Sequence, residues 1–470
     1  MMAVEIDLLQ IDHGAIVAPA GCGKTQLITD ALSRHQGPKP ILVLTHTNAG
    51  VAALRARLGK AGVVPATYRL ATLDGFAIRL ISTFPLRSGH DPRIIEGARP
   101  NYPAIRSAAT GLVQAGHITD LLKASYDRLL VDEYQDCSVR QHLMVAHLAQ
   151  CIRTVVVGDP FQAIFGFGGD ALPAWNDVVA YFPIRGELKT PWRWINAGSP
   201  ELGAWLLGMR DKLASHTPID LRGAPGIEWV QLDGVHDEER RLAAGSADAP
   251  GETKVLIIGE STDPSGQRRI ARRISGAVTV EAVDLRDLTD FGRTLDVGDP
   301  GALAVIAGYA EHLMSNFGGE DLVRSVAAAK ANTLGRLPTV IEAAALNFEA
   351  TRSLSAVSDL LVAINQTGGV YCYRPAVLAA TQRALQLASP ADGPSFFEAT
   401  IIVREQSRLI GRPLARRSVG STLLLKGLEA EVSVILNADT LNARNLYVAM
   451  TRGSKRVLVC ATSPLLNPEW

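Results

Sequence analysis

The 470-residue chain has no excess of charge of either sign, because 47 lysines and arginines balance 47 aspartates and glutamates. A neutral chain lacks the overall basic charge that draws many proteins to nucleic acid, so any contact with a phosphate backbone must come from a local patch. No run of apolar residues approaches the ~18 that a membrane-spanning helix needs. With 47% hydrophobic and 20% charged residues, the composition is typical of a folded globular protein rather than a disordered one.

Cysteine is also scarce. The five cysteines are an odd number, and none forms a C-x-x-C pair, which argues against a disulfide framework or a structural zinc site. The first residues lack the basic segment and apolar run of a secretory signal. We therefore expect a cytoplasmic protein in a reducing compartment, with no membrane association.

Short apolar segments alternate with helical stretches. The expected strands are residues 15–17, 41–44, 128–131, 154–157, 254–258, 400–403, 432–436 and 456–459. Helices are expected at 24–34 and at 51–58, the second capped by Asn48, and in the Ala- and Leu-rich region between 300 and 390. This alternation predicts an α/β fold, with parallel sheets covered by helices on both faces.

A glycine-rich segment connects the first expected strand to the first expected helix. It has the pattern of a Walker A loop, in which backbone amides and the helix N-terminus bind phosphates. Ala18 occupies the place of the usual first glycine. Lys24 would bridge the β- and γ-phosphates, and the Thr25 hydroxyl would bind Mg²⁺. The expected nucleotide-binding residues of this segment are Ala18, Pro19, Ala20, Gly21, Cys22, Gly23, Lys24, Thr25 and Gln26.

Two adjacent carboxylates follow the apolar strand at 128–131. Asp132 suits a Mg²⁺ contact, and Glu133 suits orienting and deprotonating an attacking water. Phosphoryl transfer depends mainly on such positioning and charge neutralisation. Together with the Walker A loop, this pair predicts Mg²⁺-dependent hydrolysis of a nucleoside triphosphate.

The order of short motifs along the chain resembles that of the UvrD/Rep-type superfamily 1 DNA helicases. After the Walker A loop, the similar segments are 45–48 (motif Ia), 71–76 (Ib), 132–136 (II), 158–165 (III), 190–193 (IV), 426–429 (V) and 447–452 (VI). The resemblance implies two RecA-like P-loop NTPase lobes with small, mostly helical insertions. The implied boundaries are 1–75 with 125–186 for the first lobe (1A), 76–124 for a reduced 1B-like insertion, 187–270 with 395–470 for the second lobe (2A), and 271–394 for a reduced 2B-like insertion.

The same resemblance assigns roles around ATP and Mg²⁺. Gln162 would sense the γ-phosphate and act in catalysis beside Lys24 and Glu133. Arg193 and Arg452 are candidate arginine fingers, since a guanidinium stabilises charge on the transferring phosphoryl group. Two further residues are expected to contact the nucleotide: Trp192 by stacking on adenine, and Glu429 by binding the ribose or linking the lobes.

The resemblance also implies a track for single-stranded DNA, which aromatic stacking and local positive charge grip without sequence preference. The candidate contacts are His46, Thr47, Asn48, Thr72, Phe76, Phe165, Phe167, Arg404 and Arg408. The phenylalanines and His46 could instead be ordinary structural residues. The two arginines belong to a basic cluster that could equally be an exposed loop and that also includes Arg412, Arg416 and Arg417.

Two departures from the family leave the function open. Leu423 occupies the place of the usual motif V histidine, and the insertions are short, with no fused nuclease domain expected. This compact layout resembles the helicase-like subunits of Gabija-type antiphage systems, which act with an OLD-family nuclease partner. The sequence therefore favours a 3′–5′ translocase or helicase on single-stranded DNA or on a junction of single- and double-stranded DNA. A regulatory subunit of a nuclease-containing defence or repair complex, and a P-loop enzyme such as a small-molecule kinase, are the alternatives.

Overall fold

The computed structural model describes residues 6–96, 100–166, 170–247, 250–251, 253–282, 284–390, 392–407 and 415–469. The strands are β1 His13–Val17, β2 Ile41–Thr45, β3 Tyr68–Thr72, β4 Arg128–Val131, β5 Arg153–Gly158, β6 Ile184–Glu187, β7 Ile219–Asp220, β8 Ile227–Gln231, β9 Val255–Gly259, β10 Ala277–Thr279, β11 Met314–Ser315, β12 Tyr371–Cys372, β13 Arg417–Ser421, β14 Ala430–Ile435, β15 Gly453–Ala461 and β16 Leu465–Leu466. The helices are α1 Lys24–Arg34, α2 Asn48–Lys60, α3 Leu73–Thr83, α4 Pro85–Ser88, α5 Arg93–Glu96, α6 Tyr102–Gln114, α7 Thr119–Ser125, α8 Val139–Cys151, α9 Trp175–Tyr181, α10 Trp192–Ala197, α11 Pro200–Ala214, α12 Asp237–Gly245, α13 Pro264–Arg273, α14 Arg286–Thr294, α15 Ala302–Glu311, α16 Gly319–Lys330, α17 Val340–Thr351, α18 Leu354–Asn365, α19 Pro375–Ala388, α20 Phe396–Ser407, α21 Thr422–Leu425 and α22 Ala443–Met450.

The chain divides into two compact units. The first comprises Met1–Asp233 with Lys426–Trp470, and the second is Gly234–Leu425. Every segment that carries a nucleotide-binding expectation lies in the first, which we call the P-loop unit. The second, which we call the helical unit, contains the Ala- and Leu-rich region.

A six-stranded sheet lies at the centre of the P-loop unit, in the order β3-β2-β4-β5-β1-β6, with parallel pairing throughout. Alternate residues of a strand face opposite sides of the sheet. One apolar core therefore contains Leu42, Leu129 and Val156, while a second contains Val43 and Leu130. Helices cover both faces, which explains why these strands are apolar along their whole length.

The carboxyl ends of these parallel strands meet at one edge of the sheet, where ligands of α/β proteins bind. The Walker A loop follows β1, and the acidic pair follows β4. Three other motifs follow β2, β3 and β5 at the same edge. The parallel strands β8, β15 and β14 complete the P-loop unit, with α22 immediately before β15.

The helical unit contains the parallel strands β10, β13 and β9 and the antiparallel pair β11–β12. Helices α14 to α20 enclose a large apolar core in which Leu288, Ile306, Phe348 and Leu360 are buried. Parallel strands accompanied by helices occur in both units, so the fold is α/β and fits the two RecA-like lobes expected from the motifs.

Two local expectations were wrong. Residues 400–403 are not a strand but part of α20, which buries Phe396, Ala399, Thr400 and Val403. Their spacing of three, four and seven residues places them on one helical face, where they pack into the helical core. A run of four apolar residues cannot distinguish a buried strand from such a face. Helix α2 begins at Asn48 itself, and its cap is Thr47, whose hydroxyl accepts a hydrogen bond from the Gly50 amide.

Across the part of the chain that the structure describes, no helix combines the length and the apolar character needed to span a bilayer.

Candidate nucleotide-binding site

The Walker A loop has the backbone of a phosphate cradle. Gly21 and Gly23 adopt left-handed conformations, with φ of 70° and 91°. A Cβ atom added at Gly21 would lie 2.5 Å from the Trp194 ring, so only glycine fits there. Helix α1 begins at Lys24 without a side-chain cap, which leaves its first amides available to an anion. This geometry fits the phosphates of a nucleotide.

Lys24 lies between the two expected carboxylates. Its Nζ is 2.9 Å from Asp132 Oδ1, and it also donates to Glu133. Burial disfavours the charged lysine, but the two carboxylates outweigh that effect and raise the pKa of Lys24. The loop after β1 and the end of β4 therefore meet at Lys24.

The two carboxylates differ in their ionisation. Burial would raise the pKa of Glu133, but Lys24 and Lys426 lower it to about 2. Burial raises the pKa of Asp132, although Lys24 opposes the shift. Glu133 also has a left-handed backbone, with φ of 55° and ψ of 41°. Such strain costs on the order of 1–3 kcal/mol and is often found at functional sites.

Thr25 and Asp132 are the expected contacts for Mg²⁺. Thr25 is the second residue of α1, and Asp132 is held beside the loop by Lys24. Within the described ranges, no group of three or more His, Cys, Asp or Glu residues could hold a metal ion. A hydroxyl and one carboxylate fit Mg²⁺ if nucleotide phosphates supply further oxygen ligands, as is usual for this ion. The neighbouring Gln26 is exposed and hydrogen bonds to Asp30 and Arg57.

Arg193 contacts the Walker A loop through its backbone, since its amide donates to Gly21 O at 3.0 Å. Its side chain donates to Thr451 O at 2.6 Å and pairs with Glu429. The Arg193 Nε is buried and lacks a hydrogen-bond partner among the described residues. Motifs IV, V and VI thus converge beside the loop.

Arg452 is buried, with 3% of the residue exposed. It donates to Val448 O, Leu428 O and the Thr451 hydroxyl, and within the described residues no carboxylate forms an ion pair with it. Burial and the charge of Arg193 lower its pKa to about 10. The guanidinium is therefore charged at neutral pH and forms no ion pair with a carboxylate of the described residues, an arrangement that favours an anionic ligand.

Two tryptophans contact the loop in different ways. Trp192 is partly exposed, and its indole Cδ1 is 3.2 Å from the position of a Cβ on Gly23. Trp194 is fully buried against Gly21 and donates from Nε1 to Gly453 O at 2.9 Å. The structure places Trp192 beside the loop, its stacking on adenine stays a prediction, and the packing role of Trp194 was missed.

Sequence reasoning also missed the polar network around motif III. Gln162 is buried, and its Nε2 donates to Asp159 Oδ2 at 2.9 Å. Asp159 in turn pairs with Arg210 of α11 at 2.7 Å. Lys426 pairs with Asp136 at 2.6 Å and donates to Gln162 O. The signal for Arg210 was present, because it is the one charged position in the buried stripe Leu202, Gly203, Leu206, Met209, Arg210 and Leu213.

The candidate DNA contacts are only partly brought together. The rings of His46 and Phe165 lie 5.2 Å apart, and Lys426 Nζ is 5.0 Å from the Phe165 centroid. Thr47 and Thr72 are exposed or partly exposed and cap α2 and α3 with their hydroxyls. Asn48 is the exposed first residue of α2, beside Thr47. Thr47, Asn48 and Thr72 thus lie at the carboxyl ends of the adjacent strands β2 and β3.

Two other DNA candidates do not fit the expected role. Phe76 is 3% exposed and packs in the core of the P-loop unit, because α3 turns that face toward the sheet. The Arg404 side chain is 11% exposed and pairs with Glu405 at 2.8 Å, which occupies its charge. Phe167 and Arg408 lie outside the described residues, as does Arg412. Arg417 is no free cation either, since it donates to the backbone carbonyls of Gly245 and Ala247.

Comparison with known protein families matches one segment of the chain. Residues 101–176 match the UvrD/REP helicase N-terminal domain, a stretch that contains Asp132, Glu133 and Gln162. This match supports a superfamily 1 helicase. No curated protein matches the chain.

Among solved structures, a complex of Arterivirus nonstructural protein 10 (helicase) with DNA is similar at 11% identity and a TM-score of 0.33. The likeness covers 95% of this chain and 60% of that one, so the chain spans less than two thirds of that helicase.

Proposed function

We propose that this protein is an ATP-dependent DNA translocase or helicase of superfamily 1 that couples hydrolysis of Mg-ATP to 3′–5′ movement on single-stranded DNA. The supporting observation is one contact network that includes the Walker A loop, Lys24, the two carboxylates and Arg193. The polarity, and the lobe boundaries expected from the sequence, stay predictions that rest on the resemblance.

Each side chain has a chemical task in this proposal. Lys24 exchanges its carboxylate partners for nucleotide phosphates, which frees Glu133 to accept a proton from the attacking water. Thr25 and Asp132 would hold Mg²⁺, which would neutralise charge on the phosphates. Arg193 and Arg452 stabilise the charge that develops on the transferring phosphoryl group, since Arg452 is buried and uncompensated.

The DNA contact in this proposal is a small patch formed by His46, Phe165 and Lys426. The aromatic rings of His46 and Phe165 suit stacking on a base, while Lys426, which pairs with Asp136, lies over the Phe165 ring. Lys426 also donates a hydrogen bond to Gln162 O. A base stacked on Phe165 would therefore be connected through Lys426 to Gln162, the expected γ-phosphate sensor. This connection is a direct route by which DNA could stimulate hydrolysis.

The decisive experiment is ATPase activity of the full chain with and without single-stranded DNA. We expect stimulation by DNA in the wild type and a loss of at least about 100-fold in kcat for Glu133→Gln, because a general base is removed. Glu96→Gln is a matched control, since Glu96 is an exposed carboxylate of α5 in the same unit. Full activity of Glu133→Gln, or hydrolysis that ignores DNA, would refute the proposal.

The second candidate is a subunit that senses ATP or DNA for a partner nuclease, such as an OLD-family enzyme in antiphage defence or DNA repair, and unwinds weakly. The observation in its favour is that two of the candidate DNA contacts among the described residues are not free, because Phe76 is buried and Arg404 is paired. Strand-displacement assays separate the two. Processive unwinding by the purified chain alone would exclude the regulatory role, whereas DNA-stimulated ATPase without unwinding would favour it.

A further inference from the structure

Arg210 lies in the apolar face of α11, and only 7% of the residue is exposed. Burying a charged side chain costs free energy unless the charge is paired. A charged residue on this apolar face therefore needs a partner of opposite charge. The Walker A loop, the acidic pair and the two candidate arginine fingers do not involve Arg210.

The guanidinium of Arg210 joins two other segments of the P-loop unit. Its Nη1 donates to Asp159 Oδ1 at 2.7 Å and to the Tyr447 hydroxyl at 3.0 Å. Its planar face lies 4.5 Å from the centroid of the Phe161 ring and 5.3 Å from that of Tyr447. Asp159 is 1% exposed, so this carboxylate has no solvent to compensate it.

Both partners connect Arg210 to the nucleotide site. The other oxygen of Asp159 accepts a hydrogen bond from Gln162 Nε2 at 2.9 Å and thereby fixes the direction of that amide. Tyr447 belongs to α22, the helix that leads to Arg452, and its hydroxyl also accepts a bond from the Ala20 amide at 3.3 Å. The Tyr447–Ala20 bond does not involve Arg210.

We propose that Arg210 is a positioning residue that aims Gln162 at the γ-phosphate by anchoring Asp159 to Tyr447 of α22. The inference rests on the proposed function, because it assigns Gln162 to the γ-phosphate. Arg210 touches no nucleotide itself. Its removal is expected to weaken recognition of a triphosphate and to leave recognition of a diphosphate intact, because Lys24 and the loop amides keep their contacts.

Arg210 could instead only balance the buried charge of Asp159, without positioning Gln162. The test must separate these two roles. Arg210→Met alone leaves Asp159 buried and unpaired, and the variant could fail to fold. The double variant Arg210→Met with Asp159→Asn removes both charges and is the informative one. Arg210→Lys keeps the charge but loses the planar guanidinium that lies against the Phe161 and Tyr447 rings. Arg128→Lys is the matched control, because Arg128 is also a buried arginine of this unit, and it bonds to Leu8 O and Leu9 O.

The experiment measures the affinity of each variant for ADP and for a non-hydrolysable ATP analogue, together with kcat, KM and the thermal midpoint. For the double variant we expect a near wild-type thermal midpoint and unchanged ADP affinity. The affinity for the ATP analogue and kcat should each fall about tenfold, which corresponds to the loss of one charge-assisted hydrogen bond. Arg210→Lys should fall between this variant and the wild type, and Arg128→Lys should keep wild-type kinetics.

Three results would overturn the inference: wild-type kinetics in the double variant, equal losses for ADP and the analogue, or kinetic losses in Arg128→Lys like those of Arg210→Lys. Failure of the proposed function would look different, since the wild type itself would then lack DNA-stimulated hydrolysis. The comparison of ADP with the analogue needs no hydrolysis and still tests Arg210 in that case.

Discussion

Arg452 in the P-loop unit and Arg374 in the helical unit are both buried, with 3% and 1% of each residue exposed. Arg374 has a full set of anionic partners: two hydrogen bonds of 2.7 Å to Glu281 and one of 2.6 Å to Asp287. Burial opposes its charge, but these carboxylates raise its pKa. Among the described residues, Arg452 donates to neutral acceptors alone, and burial lowers its pKa to about 10.

The difference separates a structural charge from a functional one. A buried cation with paired carboxylates is already compensated, and its role is to hold elements together, here α14, α19 and the segment after β10. A buried cation without a carboxylate keeps an electrostatic potential that an anion can use, and such preorganised charge is effective in catalysis because it need not reorient.

Replacing Arg452 tests the functional side of this comparison. Arg452→Met should lower kcat for ATP at least about 1,000-fold, as the loss of an arginine finger does. The free energy of unfolding should change little, because an uncompensated buried charge is removed. Single-turnover hydrolysis and chemical denaturation measure the two effects. A stable variant with normal hydrolysis would show that Arg452 is structural.

Replacing Arg374 tests the structural side. Arg374→Met should destabilise the protein by about 3–5 kcal/mol, because Glu281 and Asp287 are left partly buried without their cation. Hydrolysis per folded molecule should not change. The triple variant that adds Glu281→Gln and Asp287→Asn should recover much of the stability, which chemical denaturation would show. A loss below 1 kcal/mol for Arg374→Met would refute this account.

Much of the nucleotide site was predictable, because it depends on local rules. Helix α1 begins at Lys24 and ends at Arg34, as its sequence predicts. The carboxyl ends of parallel strands lie at one edge of a sheet, so Asp132 and Glu133 can reach Lys24 once β1 and β4 share a sheet, with β5 between them. These conclusions need only strand–loop–helix patterns.

The rest depended on tertiary packing that no local pattern encodes. The motif around Phe76 is similar to a DNA-lining segment, but the rotation of α3 decides whether that side chain faces solvent or the sheet. Arg210 and Asp159 are 51 residues apart in sequence, and only the packing of α11 brings them together. The apolar run at 400–403 became helical because it completes the core against α19.

The two units should also differ, by a smaller amount, in their response to pH. In the helical unit, burial opposes ionisation of Glu281, but Arg374 lowers its pKa below the unfolded value of 4.5. The stability from Glu281 is therefore present above that value and is lost as the pH falls through the lower folded pKa. In the P-loop unit, burial raises the pKa of Asp136 to about 7 from 3.8, although Lys426 opposes the shift. The pH dependence of its contribution to stability is therefore the reverse of that of Glu281. The stability from Asp136 is complete below pH 3.8 and is lost as the pH rises toward 7.

Replacing each carboxyl should show that the two groups change the free energy of unfolding in opposite directions as the pH rises. Measured by urea denaturation at about pH 5 and about pH 7.5, Asp136→Asn should gain stability relative to the wild type as the pH rises, by roughly 1 kcal/mol or more. The penalty of Glu281→Gln should stay constant over that range and shrink only below about pH 4.5, where the wild-type carboxyl itself becomes protonated. If both variants followed the wild-type curve in parallel, neither carboxyl would have a shifted pKa. Equal slopes of the same sign would show that the two units handle buried charge alike.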